Sequence, residues 1–230
     1  MLFFLGEVAK REGDLERARD YFAQSLAHFR EIEDREGIAT ALYQLSRAIY
    51  KREDSAPARK MLDESLAIFT ELAHHSGIAW ARGFLGQMAA DAGDFQVARD
   101  QIEHSLEMWR ALGSRSEVHA ALRALGVIAL QTGDWSEVRE RLRELLDDLS
   151  APEHRATARE ILDEFAQLAL EQGEAEHAAC LLGAAWNGAP TDSALARQVR
   201  GALDEGHWRE FLQRGVHATS AVRARKDAKL

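Results

Sequence analysis

The sequence predicts an all-α protein: a right-handed α-solenoid of about five helical hairpins, closed by a C-terminal capping helix. A set of small and bulky residues returns at a fixed step of 40 positions. Between those returns the apolar residues keep helical spacing, and strand-like alternation never lasts more than a few residues. A hairpin whose helices each carry apolar surface cannot bury both faces alone, so its neighbours must stack on it.

The repeating columns can be read off directly. Gly13-Asp14 returns as Gly93-Asp94 and Gly133-Asp134, with Glu53-Asp54 and Gly173-Glu174 in the remaining slots. Ala18, Ala58, Ala98 and Ala178 share a phase, with Val138 the one departure. Gly6, Ser46, Gly86, Gly126 and Ala166 form a second small column, and Leu5, Leu45, Leu85, Leu125 and Phe165 a bulky one. Ser25-Leu26, Ser65-Leu66 and Ser105-Leu106 are each followed three residues later by Phe29, Phe69 or Trp109.

Each element has a local reason. Ala41, Leu42, Leu45, Ala48 and Ile49 lie on one face of a helix, as do Met61, Leu62, Leu66 and Phe69 of the next segment. In the Gly-Asp pair, glycine can take the left-handed conformation that closes one helix, and aspartate can accept the free amides that open the next. Where Glu53 replaces the glycine, Ser55 and Pro57 offer another helix start. The small columns let the two helices of a hairpin approach closely. The repeats fall at about 1–34, 35–74, 75–114, 115–154 and 155–187, ten helices in all, and a capping segment follows at 188–215. Val199, Leu203, Trp208 and Phe211 are its expected buried face, and the basic tail at 216–230 is expected to be disordered. Met1 falls inside the first helix by register, so Leu2-Phe3-Phe4-Leu5 is read as an apolar end without a cap.

Composition limits the function classes. With 46 % hydrophobic residues among 230, the chain has ample material for a core and is not disordered by composition. One cysteine excludes an intramolecular disulfide framework. No run approaches the ~18 apolar residues of a membrane span, and no secretory leader opens the sequence. A net charge of −9 disfavours direct nucleic-acid or anionic-lipid binding. A cytoplasmic protein is the expectation.

The columns resemble the tetratricopeptide repeat, with Leu5-Gly6, Leu85-Gly86 and Leu125-Gly126 on first helices and Ala18, Phe22 and Ser25 on a second. The period is longer than the usual ~34 residues of that repeat. Arg17-Ala18-Arg19, Phe29-Arg30 and Asp34 to Ala39, with Ala178 to Ala185, resemble the long-helix repeats at the C-terminal end of large bacterial LuxR- and maltose-regulator-type ATP-dependent transcription regulators. That resemblance implies a sensor or scaffold part of such a regulator. The carboxylate clamp known in some tetratricopeptide repeats is not implied, because Phe3, Glu7, Gln44, Trp80 and Phe84 stand at the inner positions.

No catalytic set assembles. There is no phosphate loop, no nucleophile elbow and no His-Glu-x-x-His. His74-His75 falls at a turn where adjacent side chains diverge, His104 and Glu107 lack a third ligand, and Cys180 reads as a structural thiol, so no catalytic residue, metal or cofactor is assigned. The first helices are more informative. Outside the packing columns they present Tyr43, Arg47, Tyr50, Lys51, Trp80, Phe84, Gln87 and Arg123, aromatics interleaved with cations, as a ligand or peptide groove. Packing of Trp80 and Phe84 between repeats is the competing account of those two residues. The leading expectation is a non-catalytic scaffold for a protein or peptide partner. The alternative is a small-molecule effector-sensing domain of a transcription regulator. The uncapped N-terminal end adds homo-oligomerisation as an expectation.

Overall fold

Eleven helices follow one another among the described residues, with no strand. They are α1 (Leu2–Arg11), α2 (Leu15–Glu31), α3 (Arg35–Ile49), α4 (Ala56–Glu71), α5 (His75–Asp91), α6 (Phe95–Leu112), α7 (Arg115–Gln131), α8 (Trp135–Asp148), α9 (Arg155–Glu171), α10 (Ala175–Trp186) and α11 (Ala194–Ala202). The computed structural model describes residues 1–50, 55–149, 154–186, 194–203, 210–211 and 213–215. Lys51, Trp208 and the tail at 216–230 lie outside them.

The turns explain the period. Gly13, Gly93, Gly133 and Gly173 all have φ between 73° and 82°, the left-handed conformation expected of a glycine that closes a helix. Asp14, Asp94 and Asp134 then accept from the amides of Arg17, Val97 and Glu137, capping α2, α6 and α8. The same turn recurs where one hairpin passes to the next, at Glu33 (φ 55°), Ala73 (φ 52°) and Gly113 (φ 70°). In each turn the positive-φ residue donates its amide three residues back, and the following residue donates five back. Gly13 to Lys10 with Asp14 to Ala9 and Ala73 to Thr70 with His74 to Phe69 are two examples. Among the described turns the positive-φ residues therefore fall on a 20-residue beat, and the 40-residue period is two beats distinguished by their side chains.

Two of these turns use capping residues other than aspartate. His74 caps α5 by accepting from the Gly77 amide at Nδ1, with its ring stacked on Phe69 at 5.1 Å. Ser114, ahead of α7, donates to Glu117, a hydroxyl-carboxylate pair at the spacing of a capping box.

The described chain divides into two units, Met1–Ile128 and Ala129–Leu230, with the boundary inside α7. In the first, α1 to α6 pack in sequence, each against the next. The small columns sit where the helices come closest. Gly6 and Gly86 are buried and Ser46 is fully so. A Cβ on Gly86 would stand 2.5 Å from Ile102 and 3.0 Å from the Ala98 carbonyl on α6. Ala18, Ala58 and Ala98 are completely buried, and Ser65 and Ser105 donate to the carbonyls of Ala39 and Ala79 on the partner helix of the same hairpin. The bulky column is less uniform. Leu45 and Leu85 are each 5 % exposed, but Leu5 is 38 % exposed, beside Phe4 at 71 %. α1 starts at Leu2 with Met1 as an N-cap that makes no side-chain bond.

In the second unit α9 packs on α10 and α10 on α11. Phe165, Ala166 and Ala178 are buried at their column positions, as are Ala179, Val199 and Phe211, while Leu203 is half-buried. Trp135 on α8 stacks flat on His177 of α10 at 3.8 Å. Glu137 is buried with Arg141 at 3.1 Å, a pairing that keeps its carboxylate from being stranded in the interior.

Candidate functional site

The first helices of successive hairpins carry an aromatic row in the first unit. On α3, Tyr43 and Arg47 are one turn apart, and Tyr50 follows at the helix end. On α5, Trp80, Phe84 and Gln87 follow the same helical spacing. Packing of α5 beside α3 brings them together. The Tyr43 and Trp80 rings lie nearly parallel at 6.1 Å, and Phe84 meets Tyr43 and Tyr50 edge-on at 6.4 and 5.5 Å.

Arg47 is exposed and its guanidinium spans two of these rings, 5.6 Å from Tyr43 and 5.9 Å from Phe84, in cation–π range. It also donates from Nη1 to the Tyr43 hydroxyl at 3.4 Å. Burial pushes the Tyr43 phenol above its ordinary range, and Arg47 pulls part of that rise back. At the far end Tyr50 donates to Asp91 at 2.9 Å, and Gln87 donates to the other oxygen of the same carboxylate at 3.0 Å. The row is thus tied at both ends by polar bonds and filled between by rings.

Six of the eight residues expected at the groove, Tyr43, Arg47, Tyr50, Trp80, Phe84 and Gln87, meet in this row. Arg123 is exposed on α7, one hairpin further along, and Lys51 lies outside the described residues. The Trp80 ring packs on Tyr43 and, at 5.9 Å, on Trp109, while 37 % of the residue faces solvent. Tyr43 is 7 % exposed and belongs to the core, with Phe84 half-buried against it. Asp91 was not singled out from the sequence, although its position four residues after Gln87 is the available signal. A parallel polar link joins α1 to α3, where Lys10 pairs with Glu7 at 2.8 Å and donates to Gln44 at 3.1 Å.

Among the described residues no group of three or more His, Cys, Asp or Glu could hold a metal ion. His104 is exposed and bonded to the Asp100 carbonyl on its own helix. Cys180 is half-buried, and burial raises its thiol above the usual range, opposite to the shift that activates a nucleophile. Nor is any described helix long and apolar enough to cross a membrane. What this architecture can do is present a fixed array of rings and cations for recognition.

Helical hairpins of one backbone design, packed in sequence with close-contact columns of small residues, define a helical-repeat protein. A family model, tetratricopeptide repeat, matches residues 1–71 and 77–151, more than half of the chain, and the chain belongs to that family. Among curated proteins none matches it.

Proposed function

We propose that this chain is a non-catalytic scaffold that binds a protein or peptide through the row Tyr43, Arg47, Tyr50, Trp80, Phe84 and Gln87, with Arg123 on the next hairpin. Tetratricopeptide repeats generally mediate protein–protein interaction. The observation that carries the reading here is the exposed pair at the centre of the row. Trp80 offers a partly solvated indole held in place by Tyr43 and Trp109, and Arg47 offers a guanidinium already seated on two rings. Both are ordered before a partner arrives, so binding orders few additional side chains. Trp and Arg are also the residue types that dominate interface energetics.

The scaffold acts in the cytoplasm as the sensor or regulatory part of a larger signalling or transcription regulator, in keeping with the resemblance of Arg17 to Arg19, Asp34 to Ala39 and Ala178 to Ala185 to such repeats. It also self-associates through the exposed Phe4, Leu5 and Val8 of α1, which sedimentation equilibrium reads directly.

Affinity capture from the native cytoplasm identifies the partner, which is then titrated against the wild type and the Trp80→Ala, Arg47→Ala double variant. The double variant should bind at least tenfold more weakly and keep a cooperative thermal transition. Unchanged affinity would remove the row as the binding surface.

A further inference from the structure

The junction of the first two hairpins contains a cleft of about 350 Å³, lined by Phe3, Phe29, Asp34, Glu36, Gly37 and Thr40. That is within the ~300–1,000 Å³ range of pockets that hold small organic groups. Register with the next junction shows how the cleft arises. Phe29 and Gly37 become Phe69 and Gly77 forty residues on, and the two pairs are built alike, because a Cβ on either glycine would stand 2.4 Å from the Cδ1 of its phenylalanine. Phe3 becomes Tyr43, and Thr40 becomes Trp80. At the second junction the Trp80 indole lies along the Tyr43 ring, tilted by only 18°. At the first, the corresponding side chain is a threonine whose hydroxyl is turned back to the Glu36 carbonyl at 2.9 Å. The ring that the protein supplies for itself at one junction has no counterpart at the other, and Phe3 and Phe29 are left half-buried.

The rim of the cleft is acidic. Asp34 has one oxygen committed to the Gly37 amide, and Glu36 is exposed with its carboxylate 3.5 Å from His74 Nε2. The nearest arginine in sequence, Arg35, is drawn away to Glu71 on α4. A guest ring that carries positive charge beside it therefore gains from both the phenylalanine walls and the carboxylates.

We propose that this cleft binds an aromatic side chain of a partner protein, at a point where a basic residue flanks that ring in the partner's sequence. The site is separate from the Arg47–Trp80 row and extends recognition one repeat toward the N-terminus. The guest ring stands where Trp80 stands forty residues later, and its basic neighbour pairs with Glu36.

The test uses the full chain and three defined peptides, acetyl-Lys-Trp-Lys-amide, acetyl-Glu-Trp-Glu-amide and acetyl-Lys-Ala-Lys-amide, titrated by calorimetry with amide NMR shifts followed at Gly37 and Thr40. The basic tryptophan peptide should bind and shift both amides, and the other two should bind at least tenfold more weakly. Thr40→Trp should fill the cleft from within, raise Tm, and abolish the binding. Glu36→Gln, a surface change, should weaken it about threefold. Trp80→Ala should leave it within twofold, which separates this site from the row of the proposed function. No binding by the wild type, or equal binding by Thr40→Trp and Glu36→Gln variants, or equal affinity for the acidic peptide would overturn the proposal.

Discussion

The first and second hairpin junctions share a backbone and differ in what fills it. Both use a left-handed residue, a capping side chain and a phenylalanine laid against a glycine near the start of the following helix. Phe69 is completely buried with His74 stacked on it, whereas Phe29 is half-buried beside open space. The comparison teaches that close-contact columns set the frame of a repeat, while the position of Thr40 and Trp80 decides whether a junction is closed by the protein itself or left open to a guest.

Exchanging the fillings should have the largest effect. Trp80→Thr removes a ring that contacts Tyr43 and Trp109 but is partly solvated, so the loss should be about 2–3 kcal/mol, below that of a fully buried tryptophan. Chemical denaturation measures it, and an unchanged midpoint would show that Trp80 is not part of the packing. A smaller effect should separate the two glycines. Gly77→Ala drives a methyl into the completely buried Phe69, at about 1–2 kcal/mol; Gly37→Ala meets both a Phe29 with free space beside it and the Asp34 carboxylate at 2.6 Å, and should cost somewhat less. Equal losses would mean that the Asp34 contact, or a Phe29 without freedom, sets the cost at Gly37.

The smallest effect concerns the turns. Gly93→Ala adds no steric contact, so its cost of about 1 kcal/mol is that of forcing an L-residue to φ 81°. Ala73→Gly relieves that strain at φ 52° but frees the unfolded chain, leaving a gain of about 0.5 kcal/mol or less. Thermal unfolding of the pair should show shifts of opposite sign.

Much of this fold can be read in the sequence because close approach restricts residue choice. Gly86 has no room for a Cβ, and the glycines of the Gly-Asp pairs adopt a backbone conformation costly to other residues, so both leave periodic marks. The hairpin-to-hairpin turns leave weaker ones. Glu33 and Ala73 hold positive φ against their own preference, because the helices on either side fix the turn. His74 caps as an aspartate would, which residue-type statistics do not reveal. At the row, periodicity placed Trp80 and Tyr43 on first helices, but their contact spans 37 positions and depends on how deeply α5 settles against α3. Sequence alone could not show that one indole would both pack and face solvent. The cleft was hidden for a related reason: Thr40 is an ordinary helix residue until its counterpart forty positions on proves to be a filled site.

The 20-residue beat of the turns has a consequence for how the chain tolerates rearrangement. Excising two beats would keep glycine-column and alanine-column helices in alternation, and the shortened array could reseal. Excising a single beat would splice two helices of the same kind in succession through an intact turn, pressing like column against like column at that joint. Duplication or loss of whole hairpins is therefore the route of change that this architecture permits.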